Sequence, residues 1–235
     1  MGRLDRTFWP TLGLIVGVIA LFELTTLDLW VQDHFFNVST RRWAVTEGDA
    51  GLRIAFYHAP KILIALVGVA VLVLAAGPER WRRTTTRRSL LVVVCTLIST
   101  PVLVGLGKTA TNIFCPAEIM RYGGDAPYVR LCEPYPADQR PLRRGRCFPA
   151  GHASGGFALL SLAGLARTTH GRRTGMAVGL MIGGAMGIYQ MMNGAHYLSH
   201  TLVTALLAWW LFVGWRRIFR VDTNGASGGA APVDR

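Results

Sequence analysis

Of the 235 residues, 51 % are hydrophobic and only 16 % charged, a balance that excludes an ordinary soluble domain. The net charge of +12 would suit a nucleic-acid partner in a soluble chain. Here the arginines gather just outside long apolar runs, with no basic amphipathic helix or aromatic-studded strand beside them. A lipid bilayer is therefore the expected partner, and nucleic acid is not.

Arg3 and Arg6 precede Pro10 and an apolar run over 11–24. No clear small-x-small cleavage site follows, so this reads as an uncleaved first span rather than a signal peptide. Residues 25–56 are mixed and polar, with Trp30 and Trp43 suited to an interface. A second span is expected over 57–76, with Lys61 near its start placed to snorkel outward. The short loop 79–88 carries Arg80, Arg82, Arg83, Arg87 and Arg88, and a third span, 89–107, contains Pro101. A long polar loop, 108–150, leads into a fourth span over 151–166. Arg167, His170, Arg172 and Arg173 form another basic loop. The fifth span, 174–192, has glycines at 175, 179, 183 and 187, a ridge that permits close helix contact. The sixth runs over 198–215, followed by Arg216, Arg217 and Arg220. The expected architecture is all-α: one six-span membrane domain over 1–220, with a disordered tail over 221–235.

An even number of spans puts both termini on one side. The basic loops fall on that side too, so the positive-inside rule places the termini in the cytoplasm, as in a bacterial inner membrane. Loop 108–150 and the turn around His196 then share the extracytoplasmic face. That loop nevertheless carries Lys108, Arg121, Arg130, Arg140, Arg143, Arg144 and Arg146. It reads either as a solvated loop or as a set of guanidinium groups for an anionic headgroup, since arginine binds phosphate oxygens bidentately. Cys95 lies in an apolar run as inert core. Cys115, Cys132 and Cys147 share the loop, and in an oxidising compartment one disulfide is compatible with them. Cys115–Cys147 would draw the loop's two ends together, but spacing leaves the pairing open.

The chemistry centres on two stretches. Pro149-Ala150-Gly151-His152 opens an apolar run, where a helix start would offer free N–H groups, the positive end of a helix dipole and an imidazole. Gly194-Ala195-His196-Tyr197-Leu198-Ser199-His200 closes another turn 44 residues on. Attack on a phosphate monoester by a histidine needs a proton donor for the leaving oxygen. It also needs cations or N–H groups around the remaining oxygens, and a partner that fixes the nucleophile's tautomer. His196 and His152 suit the first two roles, Lys108 and the N–H groups from Gly151 onward the third. His200, four residues after His196, would orient it on one helical face. Gln190 and Asn193 are further hydrogen-bond donors near the membrane surface. His196 and His200 at this spacing also fit two metal ligands, but no third ligand is evident except His152, so neither metal nor cofactor is expected.

Order and spacing resemble the type 2 phosphatidic acid phosphatase superfamily of membrane lipid phosphatases. The first motif of that family reads here Lys108 to Cys115-Pro116, the second Pro149-Ala150-Gly151-His152, and the third Tyr189-Gln190 to His196 and His200. The resemblance covers residues 57–215. It implies His196 as nucleophile and His152 as general acid, without a metal, acting on a lipid phosphate or pyrophosphate. A lipid phosphotransferase or a silent anionic-lipid-binding protein are the alternative readings. Cys115 and Gln190 stand where the family has phosphate-binding arginines, Ala150 and Tyr189 replace two serines, and His200 replaces an aspartate. If other cations substitute, the nearest in sequence are Arg146, Arg144 and Arg121.

Overall fold

The computed structural model describes residues 5–46, 48–82 and 85–221. The expected tail falls almost wholly on 222–235, outside them. Among the described residues the regular structure is helical apart from one two-stranded hairpin, β1 (Phe36–Asn37) and β2 (Arg42–Trp43), paired antiparallel with Phe36 opposite Trp43.

Helix α1 (Phe8–Leu24) ends at a 72° bend into the short α2 (Leu27–Asp33). A continuous rod of 27 residues follows: α3 (Ala50–Arg53), a π-helical turn (Ile54–His58) and α4 (Ala59–Ala76). Next come α5 (Arg87–Ala110), α6 (Gly151–Ala158) with a 3₁₀ continuation (Leu159–Gly164), α7 (Thr169–Met192) and α8 (Leu198–Ile218). Threonines mark two helix starts. The Thr86 hydroxyl accepts from the Ser89 N–H and Thr168 from Gly171, each at 3.1 Å, satisfying N–H groups that have no partner inside the helix.

Four described helices are long and apolar enough to cross a membrane, or five if α1 and α2 count as one bent span. The sequence reading expected six. The discrepancy lies at 151–166, where the glycine-rich start gives an eight-residue α-helix and then a six-residue 3₁₀ stretch. Together these rise about 24 Å, short of the ~30 Å hydrocarbon core. The second span also differs from expectation. It begins seven residues early, at Ala50, so that Arg53 rides on the same rod as Tyr57 and Lys61.

The short α6 and its continuation sit at the middle of the bundle. They pack against α7, α8 and α5, while α1 covers α8 and α4 covers α5. Large apolar side chains on α4, among them Ile62, Leu66, Val69 and Leu72, are exposed, as suits a lipid-facing surface. The glycine ridge of α7 permits the tight centre. A Cβ on Gly183 would lie 2.7 Å from the Phe157 backbone nitrogen, whereas one on Gly184 meets nothing within 4 Å. Gly183→Ala should therefore cost about 1–3 kcal/mol through overpacking. Gly184→Ala, its neighbour, should be neutral or stabilising, because alanine is the better helix former. Thermal denaturation of the two variants in detergent checks the contrast.

The 111–150 segment folds over one end of the bundle. Phe36, Phe114, Ile119, Tyr122 and Ala126 form a small core against Trp43 and Leu29. Arg121 pairs bidentately with Asp33 at 2.9 and 2.7 Å. Arg143 bridges Glu118 and Asp125. Much of the loop's basic character is thus spent within the cap.

Candidate active site

Three local structures converge beneath this cap. The chain after α5 runs beside the chain before α6: Cys147 N–H donates to Ile113 O at 2.9 Å, Gly145 N–H to the Asn112 side chain at 2.8 Å, and the Thr111 hydroxyl to Phe148 O at 2.8 Å. Cys115 and Cys147 are bonded as a disulfide. A cis peptide joins Phe148 to Pro149. The start of α6 is fastened to the start of α8, because Ala150 N–H donates to the Thr204 hydroxyl at 2.9 Å. Between α7 and α8 the chain turns at Gly194, whose φ of +74° favours glycine and whose missing Cβ makes way for the Trp43 indole. His196 N–H is then bonded to Gln190 O at 3.2 Å.

The imidazoles of His152 and His196 stand 6.1 Å apart, centroid to centroid, and those of His196 and His200 5.8 Å apart. His196 is 2 % exposed, with Nδ1 3.5 Å from Sγ of Cys147, so Nε2 is the nitrogen free of the disulfide. Both His196 and His200 face the Cys147 backbone carbonyl. Burial, followed by the charges of His200, Lys108 and His152, pushes the His196 imidazole well below its ordinary 6.5, while the Cys147 carbonyl pulls it back. The nucleophile candidate is therefore neutral at physiological pH. Lys108, at the end of α5, lies against Gly151: a Cβ there would fall 3.1 Å from the lysine Nζ.

His152 faces a pocket of about 270 Å³ together with Arg53, Tyr57, Tyr189, Gln190, Asn193 and Ala195. The Tyr57 ring is 4.7 Å from that of His152, and Lys61 Nζ sits 3.7 Å above the Tyr57 ring. Of the residues singled out in the sequence, His152, Gln190 and Asn193 line this pocket, and His196, His200, Lys108, Gly151 and the Cys115–Cys147 pair cluster with His152. Three arginines do not. Arg121 is engaged by Asp33, and Arg144 and Arg146 are exposed and absent from the pocket wall. Arg53 lines the pocket instead, with Tyr57 beside it and Lys61 over the Tyr57 ring. Their spacing of four residues is a same-face signal in a helix, hidden because 25–56 reads as polar linker.

Among the described residues, three potential metal ligands come together at Cys115, Cys147 and His196. The two sulfurs are bonded to each other, so neither is a thiolate able to bind an ion.

These features define a helical membrane protein with a cation-flanked imidazole pair at one end of its bundle. The family model of the PAP2 superfamily matches residues 89–223, more than half of the chain, and the protein belongs to this superfamily, a family of phosphatases. No curated protein and no solved structure matches it. Arg53, Tyr57 and Lys61 all precede the matched region.

Proposed function

We propose that the protein hydrolyses a phosphate or pyrophosphate ester carried on a lipid, through a phosphohistidine on His196, at the extracytoplasmic end of the bundle. The observation that carries this reading is the 6.1 Å separation of the His152 and His196 rings beside the Arg53-lined pocket. Reacting groups approach to about 3–3.5 Å, so one phosphorus fits between the two. His196 Nε2 attacks phosphorus, and the bond to the lipid oxygen breaks. His152 gives that oxygen its proton. A water molecule then attacks the phosphohistidine, His152 takes a proton from it, the P–N bond breaks and inorganic phosphate leaves. Arrival of an anionic phosphate favours the protonated His152 that the first step needs.

Lys108, Arg53 and the N–H groups at the start of α6 surround the non-bridging oxygens. Arg53 supplies a guanidinium that the first and third motifs lack at Cys115 and Gln190. The exposed apolar wall of α4, on the rod that carries Arg53, lets a lipid approach sideways from the bilayer. The basic loops and the end of α8 face the cytoplasm in this orientation.

The test is phosphate release by purified protein from a panel of lipid phosphates and pyrophosphates in mixed micelles. Reactions with labelled substrate, quenched in alkaline detergent, are then examined for an acid-labile, base-stable phosphoryl-protein. Turnover with that adduct is expected. Transfer of label to an added lipid alcohol in place of water would make the protein a phosphotransferase, and tight binding without turnover would leave a lipid-binding protein.

A further inference from the structure

A second cavity lies on the other side of His200. Its volume is about 40 Å³, and its walls include Asp28, Tyr197, Ser199, His200, Glu23 and Arg130. That is room for about three water molecules. Two buried polar atoms of residues on its wall have no hydrogen-bond partner among the described residues: Nδ1 of His200, a residue 3 % exposed, and the hydroxyl of Tyr197, a residue 1 % exposed. Nε of Arg130 is a third. Buried polar groups are seldom left unsatisfied, and the usual partner in a polar cavity is water.

Asp28 is the buried carboxylate here. It reaches from α2 to the first turn of α8, where its two oxygens accept the Ser199 N–H, at 2.9 Å, and the Ser199 hydroxyl. Burial works against the anion here, and the two hydrogen bonds from Ser199 favour it. Glu23 is a poorer candidate, being half-buried and accepting the Cys132 N–H at 3.2 Å.

We propose that Asp28 is a positioning residue of the phosphoryl-transfer site, acting through a water molecule held between its carboxylate and His200 Nδ1. The hydrogen bonding is consistent. His200 faces the Cys147 carbonyl with its other nitrogen, so that nitrogen carries the proton and Nδ1 is an acceptor. The carboxylate is also an acceptor, and one water can donate a proton to each. Asp28 thereby fixes the His200 tautomer, and His200 holds the carbonyl that His196 also faces. The negative charge absent at position 200 is supplied from α2, outside the segment matched by the family model. This inference rests on the phosphatase reading for its kinetic consequence, but its effect on His200 does not depend on turnover.

The experiment compares Asp28→Asn, Asp28→Glu, Ser199→Ala and Tyr197→Phe in the full-length protein. Asp28→Asn should lower kcat by about 10–100-fold, the range seen for outer partners of site histidines, with KM little changed. Asp28→Glu should restore part of the loss. Ser199→Ala, which keeps the carboxylate, should lose less than Asp28→Asn. A purely structural role for Asp28 would make these two losses equal and would overturn the proposal. If Asp28→Asn does not fold, Tyr197→Phe carries the kinetic test, because its hydroxyl lines the same cavity; unchanged kcat would overturn the proposal. Independently, ¹⁵N spectra of histidine-labelled protein, with the His200 signals assigned from His200→Gln, should show an altered His200 tautomer population in Asp28→Asn, or in Tyr197→Phe if Asp28→Asn does not fold. An identical pattern there rejects the inference, whereas a wild type inactive on every lipid rejects only the phosphatase reading.

Discussion

His196→Ala should abolish phosphate release, lowering kcat by about 10³-fold or more, because the covalent route loses its nucleophile. His152→Ala should cost about 10²–10⁴-fold, the usual worth of a positioned proton donor. The two losses differ in kind. An aryl phosphate with a good leaving group needs no proton on its departing oxygen, so it should restore much of the His152→Ala rate and none of the His196→Ala rate. Labelled phosphohistidine should form in the first variant and be absent from the second. If both variants retain wild-type turnover, the 6.1 Å pairing of these rings has nothing to do with the chemistry.

The acid limb follows from burial. A free imidazole would be half protonated near 6.5, but burial lowers the folded value at His196, so the nucleophile stays neutral as pH falls through 6.5 and is lost only further into acid. In kcat/KM, which reports groups of the free protein, no loss assignable to His196 should appear at 6.5. A wild-type limb at 6.5 that stays unmoved in a variant with more open surroundings for His196 would contradict the buried geometry.

The second large effect concerns the cations. Lys108→Met and Arg53→Ala should each lower kcat by about 10²–10³-fold, as loss of one preorganised donor to a developing anion does. Arg53→Lys should recover only part, since an ammonium cannot make the bidentate contact of a guanidinium. Arg121→Ala removes an ion pair between half-exposed groups, Arg121 and Asp33. Its cost should be small and confined to stability, at most about 1 kcal/mol. Steady-state kinetics on the best lipid of the panel checks all four. Equal losses for Arg53→Ala and Arg121→Ala would mean that the pocket does not select between these two arginines.

The membrane character was legible from composition, because apolar runs bounded by arginine leave few alternatives. The paired histidines and Lys108 were legible as well, because an imidazole nucleophile demands a second proton-transfer group and a cation, and the three motifs present them in order. The fourth span differs from expectation for a physical reason. Hydropathy counts apolar residues, but Gly151, Gly155 and Gly156 weaken the helix, and the run tightens into 3₁₀ geometry, so no single helix of spanning length forms although the segment runs antiparallel along α7, with Gly183 against Phe157 and Gly175 against Ala163. The arginine that lines the pocket was not among those expected, for a different reason. Arg146, Arg144 and Arg121 were chosen by closeness along the chain, whereas the pocket wall draws on Arg53, almost a hundred residues before His152.

By itself the sequence determined that this chain is helical, has apolar runs of membrane-spanning length and carries two imidazoles and a lysine at motif spacing, because hydropathy and side-chain chemistry are local properties. Tertiary structure decided that Arg53 lines the pocket beside His152, that Arg121 is paired with Asp33, and that Asp28 closes on Ser199 beside His200. Those outcomes depend on packing α2 and the Ala50–Ala76 rod against elements distant in sequence, 88 residues for Asp33 and Arg121 and 171 for Asp28 and Ser199, and no pattern along one segment encodes a distance to another.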